Sequence, residues 1–177
     1  MKTSRTPTLV LGLLYLCFLG YLAFSSGQLP DRVATHFDGS GQPNGWMSRS
    51  THLLFTLALG FGVPLFVVAI LFVVRFLPDS LINIPHRDYW LAAERRAETF
   101  AWLFRHSLWF ACIGVGFITG VQYLIVRANA QPHAQLAAPW LLGMMGCFLV
   151  ALAIWAISMI RHFALQPDNR DRSSASK

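Results

Sequence analysis

Charged residues are scarce in this sequence, at 12% of 177 residues, and the scarcity is uneven along the chain. A soluble domain usually has about a quarter of its residues charged. A bilayer core of about 30 Å is crossed by a helix of ~20 mostly apolar residues. Four stretches of that length contain no Asp, Glu, Lys or Arg: 7–27, 51–74, 107–126 and 138–160. The sequence therefore predicts an all-α integral membrane protein with four transmembrane helices, in one domain (1–177) that ends in a polar tail (161–177).

The first apolar stretch has a second interpretation, that of a cleaved secretory signal peptide. Lys2 and Arg5 precede it, and Ala23-Phe24-Ser25 is a passable cleavage site. The apolar run from Leu9 to Phe24 is longer than a usual signal-peptide core, which favours an uncleaved membrane anchor.

The few basic residues are distributed unequally among the loops. Eleven Lys and Arg residues fall in the N-terminal tail, the second loop and the C-terminus, whereas the first and third loops contain only Arg32, Arg49 and Arg127. Because short loops rich in Lys and Arg stay in the cytoplasm, we expect both termini to be cytoplasmic. This topology explains the net positive charge, so no nucleic-acid partner is expected.

Recognisable catalytic motifs are also missing. The uncharged spans argue against an ion-coupled transporter, and His52, His106 and His162 fall at span ends, where we interpret them as interface residues. The chain contains no HExxH, no GxSxG and no glycine-rich phosphate loop, and its three cysteines are scattered through apolar runs. We therefore expect no enzymatic activity, no catalytic residue, no cofactor and no bound metal.

The first predicted outer loop, residues 29–50, has the pattern of a β-hairpin. A period of two, typical of a strand, is present at Val33, Thr35 and Phe37. Turn residues follow at Gly39, Gly41, Pro43 and Asn44-Gly45. We expect a short hairpin over the outer membrane face.

Three side chains of this hairpin are candidates for a recognition face: His36, Asp38 and Trp46. In one interpretation, His36 and Asp38 hydrogen-bond within the hairpin and hold its turn. In another, this face binds a peptide, a lipid or a protein partner. A third and less favoured interpretation is a metal-dependent enzyme on the outer face, in which His52 or His133 joins His36 and Asp38 around a zinc ion.

The second loop, predicted to lie inside the cell, contains an amphipathic segment, residues 88–103. Asp88 is placed to cap a helix whose first turn contains Tyr89 and Trp90. Apolar residues follow at helical spacing: Trp90, Ala93, Ala97, Phe100 and Phe104. We expect an amphipathic helix on the inner membrane surface between the second and third transmembrane helices, with Arg95 and Arg96 near anionic headgroups. A hydrolytic site in this loop, less favoured, would use His86, Asp88, Glu94 and Glu98.

Small residues recur every four positions in the third span, at Cys112, Gly116 and Gly120. Small side chains let transmembrane helices approach closely. The favoured interpretation is packing inside a four-helix bundle, and the alternative is self-association of two chains through Gly116 and Gly120.

Several short motifs of the outer loop occur together between two apolar helices: Leu29-Pro30, His36-Phe37-Asp38, Gly41-x-Pro43 and Gly45-Trp46. In this combination residues 5–75 resemble the domain of unknown function 1648 family of bacterial membrane proteins, which is related to SdpI-type immunity and signalling proteins. The inner run Ile84-Pro85-x-x-Asp88-Tyr89-Trp90-Leu91 is similar to a segment common in four-span members of the same group.

The resemblance implies a protein of the bacterial inner membrane that senses or neutralises a secreted envelope peptide. The small size and the uncharged spans indicate an alternative, an accessory or assembly subunit beside a larger membrane protein complex. In either case the lipid bilayer is the first partner, and a secreted peptide or another membrane protein is the second.

Overall fold

The computed structural model describes residues 5–164, which form a helical bundle with one two-stranded antiparallel sheet. Helix α1 (Arg5–Ser26) is followed by strands β1 (Arg32–Phe37) and β2 (Pro43–Ser48) and by helix α2 (Arg49–Val73). Two single turns of 3₁₀ helix, Val74–Phe76 and Asp79–Leu81, lead to α3 (Arg87–Trp90), α4 (Ala93–Asn129) and α5 (Ala138–Ala164). Most of the predicted polar tail 161–177 lies outside the described residues.

Four helices, α1, α2, α4 and α5, are long and apolar enough to cross a membrane. The predicted fold class, four such helices with a hairpin between the first two, is confirmed. Large apolar side chains on these helices point away from the bundle, among them Leu54, Phe66, Leu142 and Ile154. Such an outward-facing apolar surface is what a helix in contact with lipid tails presents, so the chain is a membrane protein.

Helix α4 is the centre of the bundle, because it packs against α1, α2 and α5. Phe18, Ala111 and Val115 are almost completely buried in the core that α1 and α4 share. The Phe18 ring also fills the space beside Gly60, where a Cβ atom would lie 2.5 Å from the ring's Cζ. Lipid tails are as apolar as the helix surfaces, so the hydrophobic effect does not drive helices together in a membrane. Close packing of this kind therefore supplies much of the free energy of helix association.

The inner segment differs in one respect from its predicted form. Residues 93–103 are not a separate surface helix, because α4 runs without a break for 37 residues. At 1.5 Å per residue its length is about 55 Å, well beyond a bilayer core of about 30 Å. Residues 93–107 contain neither Gly nor Pro, so nothing in the sequence interrupts the helix before it enters the membrane.

The predicted cap at Asp88 was wrong. The N-cap of α3 is His86, whose backbone is left-handed with φ of 52°, and no side chain caps this turn. The chain therefore turns two residues earlier than expected, which puts Asp88 inside the helix. Its carboxylate pairs with Arg87 at 3.3 Å.

The predicted apolar stripe is also incomplete. Phe100 is buried, but Ala93 and Ala97 are exposed, and Thr99 is buried in their place. The buried hydroxyl of Thr99 has a hydrogen-bond partner, because its Oγ1 donates to the Trp90 carbonyl oxygen at 2.8 Å. The small alanines contribute too little apolar area to decide which face of the helix is buried.

The small residues of the third span do not share one contact surface. Gly120 faces α5, where a Cβ atom would lie 2.5 Å from Met144 Sδ. Cys112 faces α1, with its Sγ 3.8 Å from the Pro7 carbonyl oxygen. Gly116 borders open space.

Candidate binding surfaces at the two ends of the bundle

The hairpin is held against the rest of the bundle by a buried side chain and by a backbone contact at its turn. Val33 is completely buried and packs with Leu29 and Val126. At the turn, the Leu136 N–H donates to the Gly41 carbonyl oxygen at 2.9 Å. Gly41 has φ of 83°, and a Cβ atom there would collide with the Leu136 carbonyl, so this contact requires glycine.

The side chain of Asn129 occupies the outer edge of β1. Its Oδ1 accepts from the Ala34 N–H at 2.9 Å, and its Nδ2 donates to the Ala34 carbonyl oxygen at 2.9 Å. The same Nδ2 donates to the Ile125 carbonyl oxygen of α4 at 2.9 Å. One side-chain amide thus bonds both backbone groups of Ala34 in the way that a neighbouring strand would.

The opposite edge of the hairpin, along β2, is open. Ala34 is paired with Trp46 in the antiparallel register. Since the polar groups of Ala34 point away from β2, this pair is not hydrogen-bonded, and the N–H and C=O of Trp46 point away from β1. No backbone group among residues 5–164 bonds them on that side. The Trp46 side chain beside them is 45% exposed.

Asp38 lies in the turn after β1, where its carboxylate organises the backbone. Its Oδ1 accepts from the Ser40 hydroxyl at 2.7 Å, the Ser40 N–H at 2.9 Å and the Gln42 N–H at 3.0 Å. These hydrogen bonds, with the Ser40 hydroxyl as the largest contributor, lower the pKa of Asp38 from its ordinary value.

His36 and Trp46 project from neighbouring positions of the hairpin. His36 is exposed and its Nδ1 is hydrogen-bonded to Asn44 Oδ1. Trp46 lies beneath the Arg32 guanidinium, whose Cζ is 5.0 Å from the ring centroid. The hairpin thus places His36, Asn44 and Trp46 on a surface that the bundle leaves open.

His52 is not an interface residue, and it does not join His36. It is 2% exposed inside the bundle, where it bonds Gln122 of α4. Its place one turn into α2 directs the ring toward α4 rather than toward the hairpin. Within residues 5–164, no three His, Cys, Asp or Glu side chains are grouped closely enough to bind a metal ion.

His106 is likewise buried rather than interfacial. Its Nε2 lies 2.9 Å from the Trp155 carbonyl oxygen, and the Trp155 Nε1–H donates to the His106 carbonyl oxygen at 2.9 Å. Its ring stacks between Trp102 and Trp155, at centroid distances of 4.5 and 4.9 Å. A pair of matched hydrogen bonds between α4 and α5 was not apparent from the sequence. The only feature of the sequence that pointed to this contact was the presence of a His in one apolar helix and a Trp in another.

The predicted inner residues meet at the other end of the bundle. Tyr89 lies edge-on to Trp90, with ring centroids 5.1 Å apart, and the Arg95 Cζ is 4.0 Å from the Tyr89 centroid. Trp90 Nε1 donates to the Phe163 carbonyl oxygen at 3.3 Å. Arg96 is turned elsewhere, because it pairs with Asp79 and also contacts the Arg75 carbonyl oxygen at 3.4 Å.

The fold and these surfaces define a four-helix membrane protein with a braced hairpin at one end. The profile of the Domain of unknown function (DUF1648) family matches residues 13–61. This range begins inside α1, includes the whole hairpin and ends in the middle of α2. The predicted resemblance of this part of the chain to that family is therefore confirmed. No curated protein and no solved structure matches the sequence.

Proposed function

We propose that this chain is a non-enzymatic membrane protein that binds an extended envelope peptide, or an extended segment of a partner, at its hairpin. The observation that carries the proposal is the asymmetry of the two sheet edges. Asn129 blocks the β1 edge, whereas the β2 edge leaves the backbone groups of Trp46 unbonded within residues 5–164. An open edge of this kind recruits an added strand through main-chain hydrogen bonds.

Trp46 supplies the side-chain part of such a site. Its ring is large, half exposed and fixed by Arg32. Aromatic anchors next to a hydrogen-bonding edge are a common basis of peptide affinity. Binding on this edge would serve the sensing or neutralising of a peptide that approaches from outside the cell.

The proposal includes the orientation of the chain in the bacterial inner membrane, with both termini cytoplasmic. The hairpin end of the described bundle has three Arg residues: Arg32, Arg49 and Arg127. The other end has seven: Arg5, Arg75, Arg87, Arg95, Arg96, Arg105 and Arg161. Lys2, Arg170, Arg172 and Lys177 lie outside the described residues. The positive-inside bias favours a cytoplasmic location for the end with seven.

A second candidate function, an accessory or assembly subunit, is favoured by helix α5. This helix packs against α4, and among its residues, Ala138–Ala164, only Phe163 is fully buried in the bundle. Trp140 and Leu142 are 73% and 70% exposed. Another membrane protein, as well as lipid, would fit this face.

One experiment separates the two functions. Cells of the native host that lack the protein are exposed to secreted peptide fractions, and the strain is complemented with wild-type, Trp46→Ala or Trp140→Ala protein to restore resistance. The peptide-binding function predicts that Trp46→Ala fails to protect while Trp140→Ala protects fully. Equal protection by both variants, or no sensitivity in the deletion strain, would reject it. Isolation of the wild-type chain in a fixed ratio with one membrane protein, lost in Trp140→Ala, would instead support the subunit.

A further inference from the structure

A cleft of ≈ 250 Å³ opens at the end of the bundle opposite the hairpin. Three of the residues that line it, Arg95, Glu98 and Arg105, lie on one face of α4, and His162 lines it from α5. The proposed peptide site makes no use of this cleft, which is separated from the hairpin by the length of the helices.

The charged side chains that line the cleft form no ion pairs in the part of the chain that the structure describes, and Arg95 lies against the Tyr89 ring. Within residues 5–164, ion pairs occupy Arg49, Arg87 and Arg96, but none occupies Arg95 or Arg105. The carboxylate of Glu98 is also outside these pairs. Two guanidinium groups and one carboxylate leave the cleft with a surplus positive charge. This combination suits an anion that also carries a hydrogen-bond donor.

The walls of the cleft are held in place before any ligand arrives. The Trp102 ring lies flat on the His162 ring, with centroids 3.8 Å apart and planes 4° from parallel. The Thr99 hydroxyl donates to the Trp90 carbonyl oxygen at 2.8 Å. A site whose side chains are already fixed loses less conformational entropy when it binds.

The position of the cleft along the bundle coincides with the edge of the membrane. The uncharged part of α4 begins at Ser107 and spans about 30 Å in 20 residues, so Arg105 lies just outside the hydrocarbon core. Phe72 packs on Phe104 at a centroid distance of 5.8 Å, which brings nearby Arg75 to a similar level. Arginine and tryptophan side chains are typical of this interfacial zone.

We propose that this cleft binds the headgroup of an anionic phospholipid. Arg95 and Arg105 hold the phosphodiester, and Glu98 accepts a hydrogen bond from a headgroup hydroxyl. Guanidinium groups bind phosphate oxygens through strong charge-assisted hydrogen bonds, and basic clefts between transmembrane helices are suited to lipid headgroups. A phospholipid fits better than a free phosphate because the acyl chains have an exposed apolar surface to follow at Ile157 and Ile160.

Native mass spectrometry of the full-length protein in detergent tests this site. Phosphatidylglycerol and phosphatidylcholine are added at equal concentration, since the second has the phosphodiester but no headgroup hydroxyl. Phosphatidylglycerol should bind preferentially. Arg95→Gln and Arg105→Gln should each weaken that binding by roughly tenfold or more, as expected for the loss of a charged hydrogen bond. Arg161→Gln is the matched control, because Arg161 is exposed next to His162 at the same end of the bundle but does not line the cleft.

Two further arms identify the source of the phosphate and the role of the carboxylate. Inorganic phosphate at millimolar concentration should not displace the lipid, and displacement would show a soluble phosphate site instead. Glu98→Gln keeps a hydrogen-bond acceptor and removes a negative charge, so phosphatidylglycerol binding should persist or strengthen. Circular dichroism checks that each variant keeps its helices. If one arginine variant does not fold, the other alone suffices for the comparison. Equal loss with Arg161→Gln, or no preference between the two lipids, would overturn the proposal.

Discussion

His52 of α2 and Gln122 of α4 meet inside the bundle, where the histidine Nε2 donates to the glutamine Oε1 at 2.8 Å across 70 positions of sequence. The Gln122 Nε2 donates in turn to the Ser25 hydroxyl of α1 at 3.3 Å. All three residues are at most 2% exposed. Three of the long apolar helices are therefore joined by one chain of buried polar contacts.

Gln122→Leu should destabilise the bundle by about 1–3 kcal/mol, because it leaves the buried His52 donor without a partner. His52→Leu combined with Gln122→Leu should recover part of this loss, since both polar groups are then removed. The measurement is the free energy of unfolding in mixed detergent micelles. Gln131→Leu, in an exposed loop, is the control. Wild-type stability in the single variant would show that this contact does not support the fold.

Gly60→Ala should destabilise the contact between α1 and α2 by roughly 1–3 kcal/mol, the usual cost of overpacking. The added Cβ would lie 2.5 Å from Phe18 Cζ, so the ring or the helix must shift. Gly62→Ala is a close control, because nothing lies within 4 Å of a Cβ atom there. Thermal unfolding of both variants makes the comparison. Equal melting temperatures would contradict the close contact between Phe18 and Gly60.

Asn129→Ala should release the hairpin from α4 while the bundle remains folded. The variant removes both hydrogen bonds to Ala34, each worth about 0.5–1.5 kcal/mol. Hydrogen exchange of the Ala34 amide should therefore accelerate strongly, whereas amides in the middle of α4 should exchange as in the wild type. Gln131→Ala serves as the control substitution. An unchanged Ala34 rate would mean that Val33 and Leu136 alone hold the hairpin.

The hairpin turn should lose its order at low pH. Hydrogen bonds lower the folded-state pKa of Asp38. The contribution of its carboxylate to the stability of the turn is therefore complete above the unfolded pKa, about 3.9. The contribution is lost as the pH falls through the lower folded value. Amide exchange at Ser40 and Gln42, followed between pH 6 and pH 2 with the intrinsic rate corrected, should show the loss. In Asp38→Asn the transition should vanish, and its persistence would assign the titration to another group.

Reporter fusions test the orientation. A reporter fused after Lys177 should be active in the cytoplasm, and one inserted at Gly39 should be active outside, because of the charge difference between the two ends. Gly39 is a suitable position because it is exposed and no atom lies within 4 Å of its Cβ position. Exchanged locations for both reporters would reverse the topology and would put the hairpin in the cytoplasm.

The four membrane helices were predictable because length and apolar composition are local properties of the chain. The hairpin was predictable for a similar reason, since alternation and turn residues lie within a few positions of one another. The continuous helix from Ala93 was missed because charged residues within 93–106 suggested a boundary. Helical hydrogen bonding does not require uniform polarity, so charge marks the membrane edge without ending the helix.

The candidate surfaces were only partly predictable. Trp46 and Arg95 were selected from sequence, but Asn129 was not, because its role depends on a strand that lies 95 positions away. His52 was assigned to the membrane–water interface because it lies near the end of a predicted span. The rotation of α2 against α4 instead points its side chain into the bundle.

The sequence by itself determined how many apolar helices form and where the hairpin lies between them, because both follow from the free energy of local segments in lipid or water. Only the tertiary structure decided which polar side chains meet. Asn129 reaches Ala34, and His52 reaches Gln122, through helix packing that depends on shapes such as Phe18 against Gly60. Such contacts join residues far apart in sequence, so no local pattern specifies them.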